Sequence, residues 1–387
     1  MKKRCNLFST LYTFSYMALG ALMPLIGQYL AYIGFTGVQI GTITAAGTCV
    51  AIFASTVWGK VYDSGENKYL LIMALCIIAA IIGTILLGIK WYPLFIAVYG
   101  CMYFFQAPIM AFSDALTLQE TACFGQIRKW GAVGFAVGVF AAGRLAELMG
   151  LPVIFHLYSG SFFLSALLLL LLSRENSAAR EASHAVKKEK RGYRILLREK
   201  KLMQLLVCAF FLGGSNVANN TYFSFLYLVG GGTLAGVGAV MLLMVGSVAP
   251  FMQWSAKLAG RFSMEKTILG AMAVSVIRFG IYALEPAFPI LMAMFFMQGA
   301  VNGIILVEFV RYVTKLAPKG NEGMAVAVYY AFSCNGSAIL CQLVGGAMLD
   351  CCGSGGVYGF FAVSNLVGLV LYMSFGLQKK HEKLDGK

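Results

Sequence analysis

Residues 174–201 read RENSAAREASHAVKKEKRGYRILLREKK, and ten of these positions are Lys or Arg. No helical apolar face is visible in this stretch before Tyr193. On both sides the composition changes abruptly to long apolar runs. They fall at 7–33, 37–59, 69–88, 92–116, 129–149 and 152–173 before it, and at 202–229, 234–256, 267–285, 288–312, 323–349 and 355–377 after it. About 20 residues cross the hydrocarbon core as a helix, and longer runs tilt or protrude. The pattern predicts an all-α integral membrane protein with twelve transmembrane helices. They form two pseudo-symmetric six-helix bundles, residues 1–173 and 202–387, and the charged segment 174–201 is a cytoplasmic linker. The linker's end, RGYRILLREKK, either lies amphipathically on the anionic inner leaflet or is solvated and only sets topology.

The composition agrees. Of 387 residues, 59% are hydrophobic and 12% charged, against about 25% charged in soluble domains. The net charge of +14 could suggest a nucleic-acid partner, but its distribution points elsewhere. With the termini on one side, 27 of the 30 Lys and Arg fall in the tails, loops and span ends of that side. Lys90 and Arg144 face the other side, and Arg278 lies within a span. The positive-inside rule then places both termini in the cytoplasm of a multi-pass protein of the cell membrane, with no role in binding nucleic acid. The start MKKR precedes a run too long for a signal peptide and lacking a small-x-small site, so it reads as the first helix. The ten cysteines have no metal-ligand spacing and read mostly as small packing residues, with Cys351 and Cys352 as free thiols.

The halves resemble each other. GKVYDSGENKYLLIMAL at 59–75 is echoed by AKLAGRFSMEKTILGAM at 256–272, and YFFQAP at 103–108 by FFMQGA at 295–300. A duplicated six-helix unit is the architecture in which two bundles rock around a midplane site. Two acids, Asp114 and Glu308, stand out inside long apolar stretches, Glu147 and Glu285 being at the outer ends of theirs. A charge at the bilayer centre costs roughly 2.5–3.5 kcal/mol on insertion scales and marks an ion or substrate path by default. Each has a basic residue in reach, Arg128 for Asp114 and Arg311 for Glu308. An arginine fork takes a carboxylate in bidentate fashion, whether from the protein or from a solute. The alternative for both is a salt bridge that locks helix ends. Arg278 lies about 18 Å inside its helix at 1.5 Å per residue with no acid at that depth. It must face a cavity, carbonyls or an anionic ligand, or else snorkel outward. Candidate cavity amides are Gln28, Gln106, Asn216, Asn219, Asn220, Gln298, Asn302, Asn335 and Asn365. The cluster Asn219–Asn220 and the i,i+4 pair Gln298–Asn302 are favoured over the rest, which join helix to helix.

The segment Gly59 to Asp63 with Lys68 resembles the gating-loop motif of the major facilitator superfamily, with Ser64 and Glu66 departing from it. SDAL at 113–116, GQIRKWGAVGF at 125–135, SVIRFGI at 275–281 and VRYV at 310–313 are similar to the phenylpropionate-permease and lactose-permease branch of proton symporters. The resemblance implies the major facilitator fold, substrate contacts at Asp114 and Arg128, an aromatic platform at Phe135, and Arg278 in the coupling region. The carboxylate and histidine that carry the proton in lactose permease correspond to Val301 and Gln298, so coupling would have to use Asp114 or Glu308, or be absent. Glycines 131, 134, 138 and 143 lack the Gly-Pro signature of drug antiporters. The expected function is a non-enzymatic secondary transporter of a small solute (sugar, nucleoside or aromatic acid class). It would work by alternating access and proton symport, as a monomer in the lipid bilayer, with no cofactor other than the proton and no metal. The alternative is a proton-coupled exporter or an uncoupled uniporter. An intramembrane enzyme lacks support, since His156 has no nearby nucleophile or carboxylate partner in the sequence, and the ten-residue tail after Leu377 argues against a sensor with an appended signalling domain.

Overall fold

The computed structural model describes residues 2–65, 67–121, 123–176, 194–318 and 320–379. Most of the segment 174–201 and Glu66 lie outside them. Among the described residues there are twelve long helices: α1 Arg4–Tyr32, α2 Gly37–Ser64, α3 Lys68–Leu86, α4 Tyr92–Glu120, α5 Phe124–Met149, α6 Val153–Arg174, α7 Lys200–Val229, α8 Leu234–Phe262, α9 Met264–Ala283 and α10 Phe288–Leu316, with α11 at 322–352 and α12 at 354–374. The last two follow without a loop. Gly353 separates them at φ 65°, a left-handed conformation in which only glycine is unstrained. The new N-terminus is then satisfied by Glu285, whose carboxylate accepts the Gly355 N–H at 2.7 Å and the Ser354 hydroxyl. A carboxylate there also opposes the positive end of the helix dipole.

Local signals explain where the helices begin. Thr36 and Gln39 form a capping box at the start of α2, Asn67 caps α3, and Ser263 caps α9. Each side chain accepts a backbone N–H that the helix itself leaves unpaired. Several helices run beyond their apolar stretch. α4 continues to Glu120 and α5 already begins at Phe124, so the expected loop of about twelve residues shrinks to Thr121–Cys123. Arg128 lies inside α5 instead of opening it, because polar residues with good helix propensity carry the hydrogen-bond ladder past the apolar core.

Contacts group the chain into two compact units. One comprises Met1–Lys187 with Asn220–Leu242, the other Lys188–Asn219 with Leu243–Lys387. This differs from a division at residue 202, since the later part of α7 and the start of α8 go with the first unit. The reason is local packing. A side chain at Gly143 would strike the Leu234 carbonyl, one at Gly238 would meet the backbone of Val139 and Phe140, and Glu147 accepts the Ala235 N–H at 2.8 Å.

Within the first unit α1 lies against α5 backbone to backbone. A Cβ on Gly134 or Gly138 would collide with the main chain of Thr13 or Met17, and one on Gly20 with that of Phe135. Lipid tails offer helices no hydrophobic drive to associate, so close approach through small residues supplies the packing. In the second unit α7 meets α11 in the same way, with Gly213 and Gly214 against Ser333 and Ser337. The Ser333 hydroxyl bonds to the Leu206 carbonyl at 2.9 Å. Thus the first and fifth helices of each half pack through small residues. Cys5, at the start of α1, is bonded to Cys123 just before α5, a pairing that the cysteine spacing did not signal, whereas Cys351 and Cys352 are free.

Gly134→Ala should lower the thermal unfolding midpoint of the detergent-solubilised protein, at a cost of about 1–3 kcal/mol for overpacking. Gly125→Ala on the same helix, where a Cβ meets open space, should leave the midpoint unchanged. Fluorescence-detected size-exclusion after graded heating reads both.

Candidate functional site

Each unit carries its own polar cluster. In the first, Asp114 on α4 meets Arg128 on α5, with Arg128 Nε 3.4 Å from Asp114 Oδ1. The same oxygen accepts the Tyr12 hydroxyl of α1 at 2.5 Å. The Arg128 guanidinium lies 4.7 Å from the Tyr16 ring centroid and 6.0 Å from that of Tyr12. Tyr12 and Tyr16 are one turn apart and stacked. Gly131 leaves room for this, because a Cβ there would press on Tyr16 and on Arg128 Nη1. The side chains of Arg128 and Asp114 are 41% and 30% exposed, so solvent screens the pair and its strength is modest. It is therefore exchangeable. A solute carboxylate could take Arg128, and a solute hydroxyl either partner. Phe135 is half-buried two turns beyond Arg128, with its backbone seated against Gly20.

Arg278 of α9 anchors the second cluster. It is fully buried. Nη2 donates to Asn216 Oδ1 of α7 at 2.8 Å, while Asn216 Nδ2 is held by the Leu212 carbonyl at 2.9 Å. The guanidinium stacks 4.2 Å from the Phe279 centroid. Nε and Nη1 have no hydrogen-bond partner among the described residues, and neither has Nδ2 of Asn219. Asn219 Oδ1 accepts the Tyr358 hydroxyl at 2.9 Å, and the Tyr358 ring lies over Phe279. Asn216, Asn219, Arg278, Phe279 and Tyr358 thus form one network drawn from α7, α9 and α12. A buried cation with two unused donors is costly unless something bonds them. A hydroxyl or carboxylate oxygen has the matching chemistry.

Glu308 and Arg311 form an ion pair one turn apart, with both carboxylate oxygens accepting from Nη1, at 3.1 and 3.2 Å. Glu308 is fully buried, while Arg311 is 56% exposed. Glu308 sits in a π-helical stretch, Ile305–Phe309. Such single-turn bulges inside α-helices recur at functional sites because they re-aim the side chains around them. Gln298 is buried on the same helix with Oε1 unpartnered, and Asn302 is half-buried one turn on. Asn219 and Asn220 do not form a single site. Adjacent residues on a helix point in different directions, and the two fall in different units.

Two other amides join helix to helix. Gln106 accepts the Tyr158 hydroxyl at 2.6 Å. Asn365 ties Ser215 to Ser275 at 2.7 and 2.8 Å. In the motif after α2, Lys68 bonds Gln119 at 2.9 Å and lies 5.0 Å from the Tyr62 centroid, and Asp63 is exposed. A Cβ on Gly59 meets nothing within 4 Å, so packing in this conformation does not require a glycine there. Tyr12, Tyr16 and Tyr358 were not among the residues singled out from sequence. The i,i+4 spacing of Tyr12 and Tyr16 was the available signal, whereas nothing in the sequence of α12 marks Tyr358.

Twelve helices, two internally packed units and intramembrane charges at the ends and middles of spans define a polytopic transporter fold. The profile of the MFS_1-like family matches residues 6–360, and the chain belongs to that family of the major facilitator superfamily. It is 33% identical to the maltose permease of Geobacillus stearothermophilus, covering 99% of this chain and 97% of that one. It is 26% identical to a probable 3-phenylpropionic acid transporter of Escherichia coli (strain K12), covering 92% and 93%. Among solved structures it superposes on the nucleoside transporter NupG with a TM-score of 0.78 at 16% identity, covering 98% and 100%, a likeness of fold alone.

Arg311→Met should leave the Glu308 carboxylate buried without its partner. A cost of about 1–3 kcal/mol is expected, below the value for a wholly buried pair because the arginine side is solvated. The double variant Glu308→Gln, Arg311→Met should recover most of the lost thermal midpoint.

Proposed function

We propose that this protein is a secondary active transporter. It moves a small ring-containing solute of the sugar, nucleoside or aromatic acid class across the cytoplasmic membrane by alternating access, coupled to proton symport. The observation that carries this reading is the exchangeable Asp114–Arg128 pair with its tyrosine partners. A half-exposed carboxylate held by one guanidinium and one hydroxyl can trade either contact for a solute group or a proton. Arg278 supports it from the other unit, with donors suited to a hydroxyl or carboxylate. The relatives' names, a maltose permease and a probable phenylpropionic acid transporter, span the same chemical range. Tyr16, half-buried beside Arg128, offers an aromatic surface for a ring. The distribution of basic residues supports cytoplasmic termini, and the transporter works as a monomer.

An uncoupled uniporter is the second reading. It is favoured by Val301, which is fully buried and apolar where the lactose permease resemblance would place the proton-carrying acid.

Ligand-induced thermal shift against sugars, nucleosides and aromatic acids first identifies the solute. Uptake into vesicles is then followed at several external pH values. Accumulation should rise as the outside becomes more acidic and collapse with a protonophore, and Asp114→Asn should abolish both responses. Accumulation in Asp114→Asn that is unchanged and independent of pH would rule out coupling through Asp114. Arg278→Met should weaken solute binding by roughly tenfold or more, as expected for loss of a charge-assisted hydrogen bond of about 1.5–3 kcal/mol, while Asn365→Ala should act on stability alone.

A further inference from the structure

The end of α8, the start of α9 and the middle of α10 enclose a groove of about 300 Å³. Its walls are Leu258, Phe262, Gly270, Val274 and Ala300, and Lys266 stands at its mouth. Gly270 is exposed, and a Cβ there would meet nothing within 4 Å. Helix packing gives no reason for a glycine at this position, whereas a larger side chain would fill the groove. Lys266, in the first turn of α9, is exposed and lines the groove. Arg261, exposed in the last turn of α8, lies beside it with its guanidinium 5.4 Å from the ring centroid of the lining residue Phe262, and Lys257 one turn earlier is also exposed. The nearest acid in sequence, Glu265, is buried and bonded to Lys315 at 2.9 Å, so it does not neutralise them. Trp254, more than half exposed, is an aromatic residue of the kind that sits at the headgroup level of a bilayer.

We infer that this groove is a binding site for an anionic phospholipid, with one acyl chain lying along Leu258, Gly270 and Ala300 and the phosphate held by Arg261 and Lys266. Charge complementarity selects the occupant. Basic pockets between transmembrane helices bind anionic headgroups, and an apolar channel beneath the cations fits a lipid tail where free phosphate would find no partner. The site is independent of the solute and of proton coupling.

Native mass spectrometry of the purified protein, incubated with phosphatidylglycerol or with phosphatidylcholine, tests this. The wild type should retain phosphatidylglycerol under activation that strips phosphatidylcholine. At about 1 kcal/mol per basic residue near the surface, Lys266→Gln should reduce that preference roughly five-fold, and Arg261→Gln with Lys266→Gln about thirty-fold. Gly270→Leu should remove the retention of phosphatidylglycerol while leaving the thermal midpoint in lipid-free detergent unchanged. Equal retention of the two lipids by the wild type would show ordinary annular contact only and overturn the assignment. So would a phosphatidylglycerol preference that survives the double variant. If Gly270→Leu alters the fold, the lysine and arginine variants still decide the question.

Discussion

Hydrocarbon offers a polar group nothing to bond with, and this constraint shapes the whole molecule. It forces the backbone into helices whose N–H and C=O groups pair internally, and it removes the hydrophobic drive that assembles soluble cores. Contact between helices must then come from close approach. Gly134 and Gly138 against Thr13 and Met17, and Gly213 and Gly214 against Ser333 and Ser337, supply it at equivalent places in the two halves. Side chains larger than hydrogen at these glycines would separate the helices that carry Tyr12, Arg128 and Asn216.

The same constraint sorts the polar residues. Gln106 with Tyr158, and Asn365 with Ser215 and Ser275, are bonded among themselves and act as connectors between helices. Arg278 and Asn219 keep donors without partners inside a buried network, and Asp114 with Arg128 is only partly shielded from solvent. A group that is buried and unsatisfied, or charged and loosely held, has hydrogen-bonding capacity to spare, which is why the proposed solute contacts are sought there. Glu308 belongs between these classes. Its carboxylate is buried, but its arginine reaches solvent, and the π-helical turn around it gives the helix a local irregularity that a plain ion pair does not need.

Hydropathy and charge made the spans and the two intramembrane acids legible, because these depend on composition over windows of about 20 residues. Helix ends were less so. α4 and α5 run past their apolar segments to Glu120 and from Phe124, since helical hydrogen bonds continue wherever side chains permit. The candidate site was legible in its charges and not in its aromatic partners. Asp114, Arg128 and Arg278 stand out as costly residues, whereas Tyr12, Tyr16 and Tyr358 look like any of the 19 tyrosines until neighbouring helices bring them to a charge.

By itself, then, the sequence determined a helical membrane protein with a charged break in the middle and a few ionisable groups too expensive to be incidental. Only the tertiary structure decided which of those groups meet. Asp114 finds Arg128 and Tyr12 because glycines let α1 and α5 touch, while Arg278 finds an amide and an aromatic face but, among the described residues, no acid. The grouping of Asn220–Leu242 with the first unit was also beyond the reach of the sequence. Hydropathy reports how deep a residue lies in the bilayer, and contact depends on which helix faces are close enough to pack.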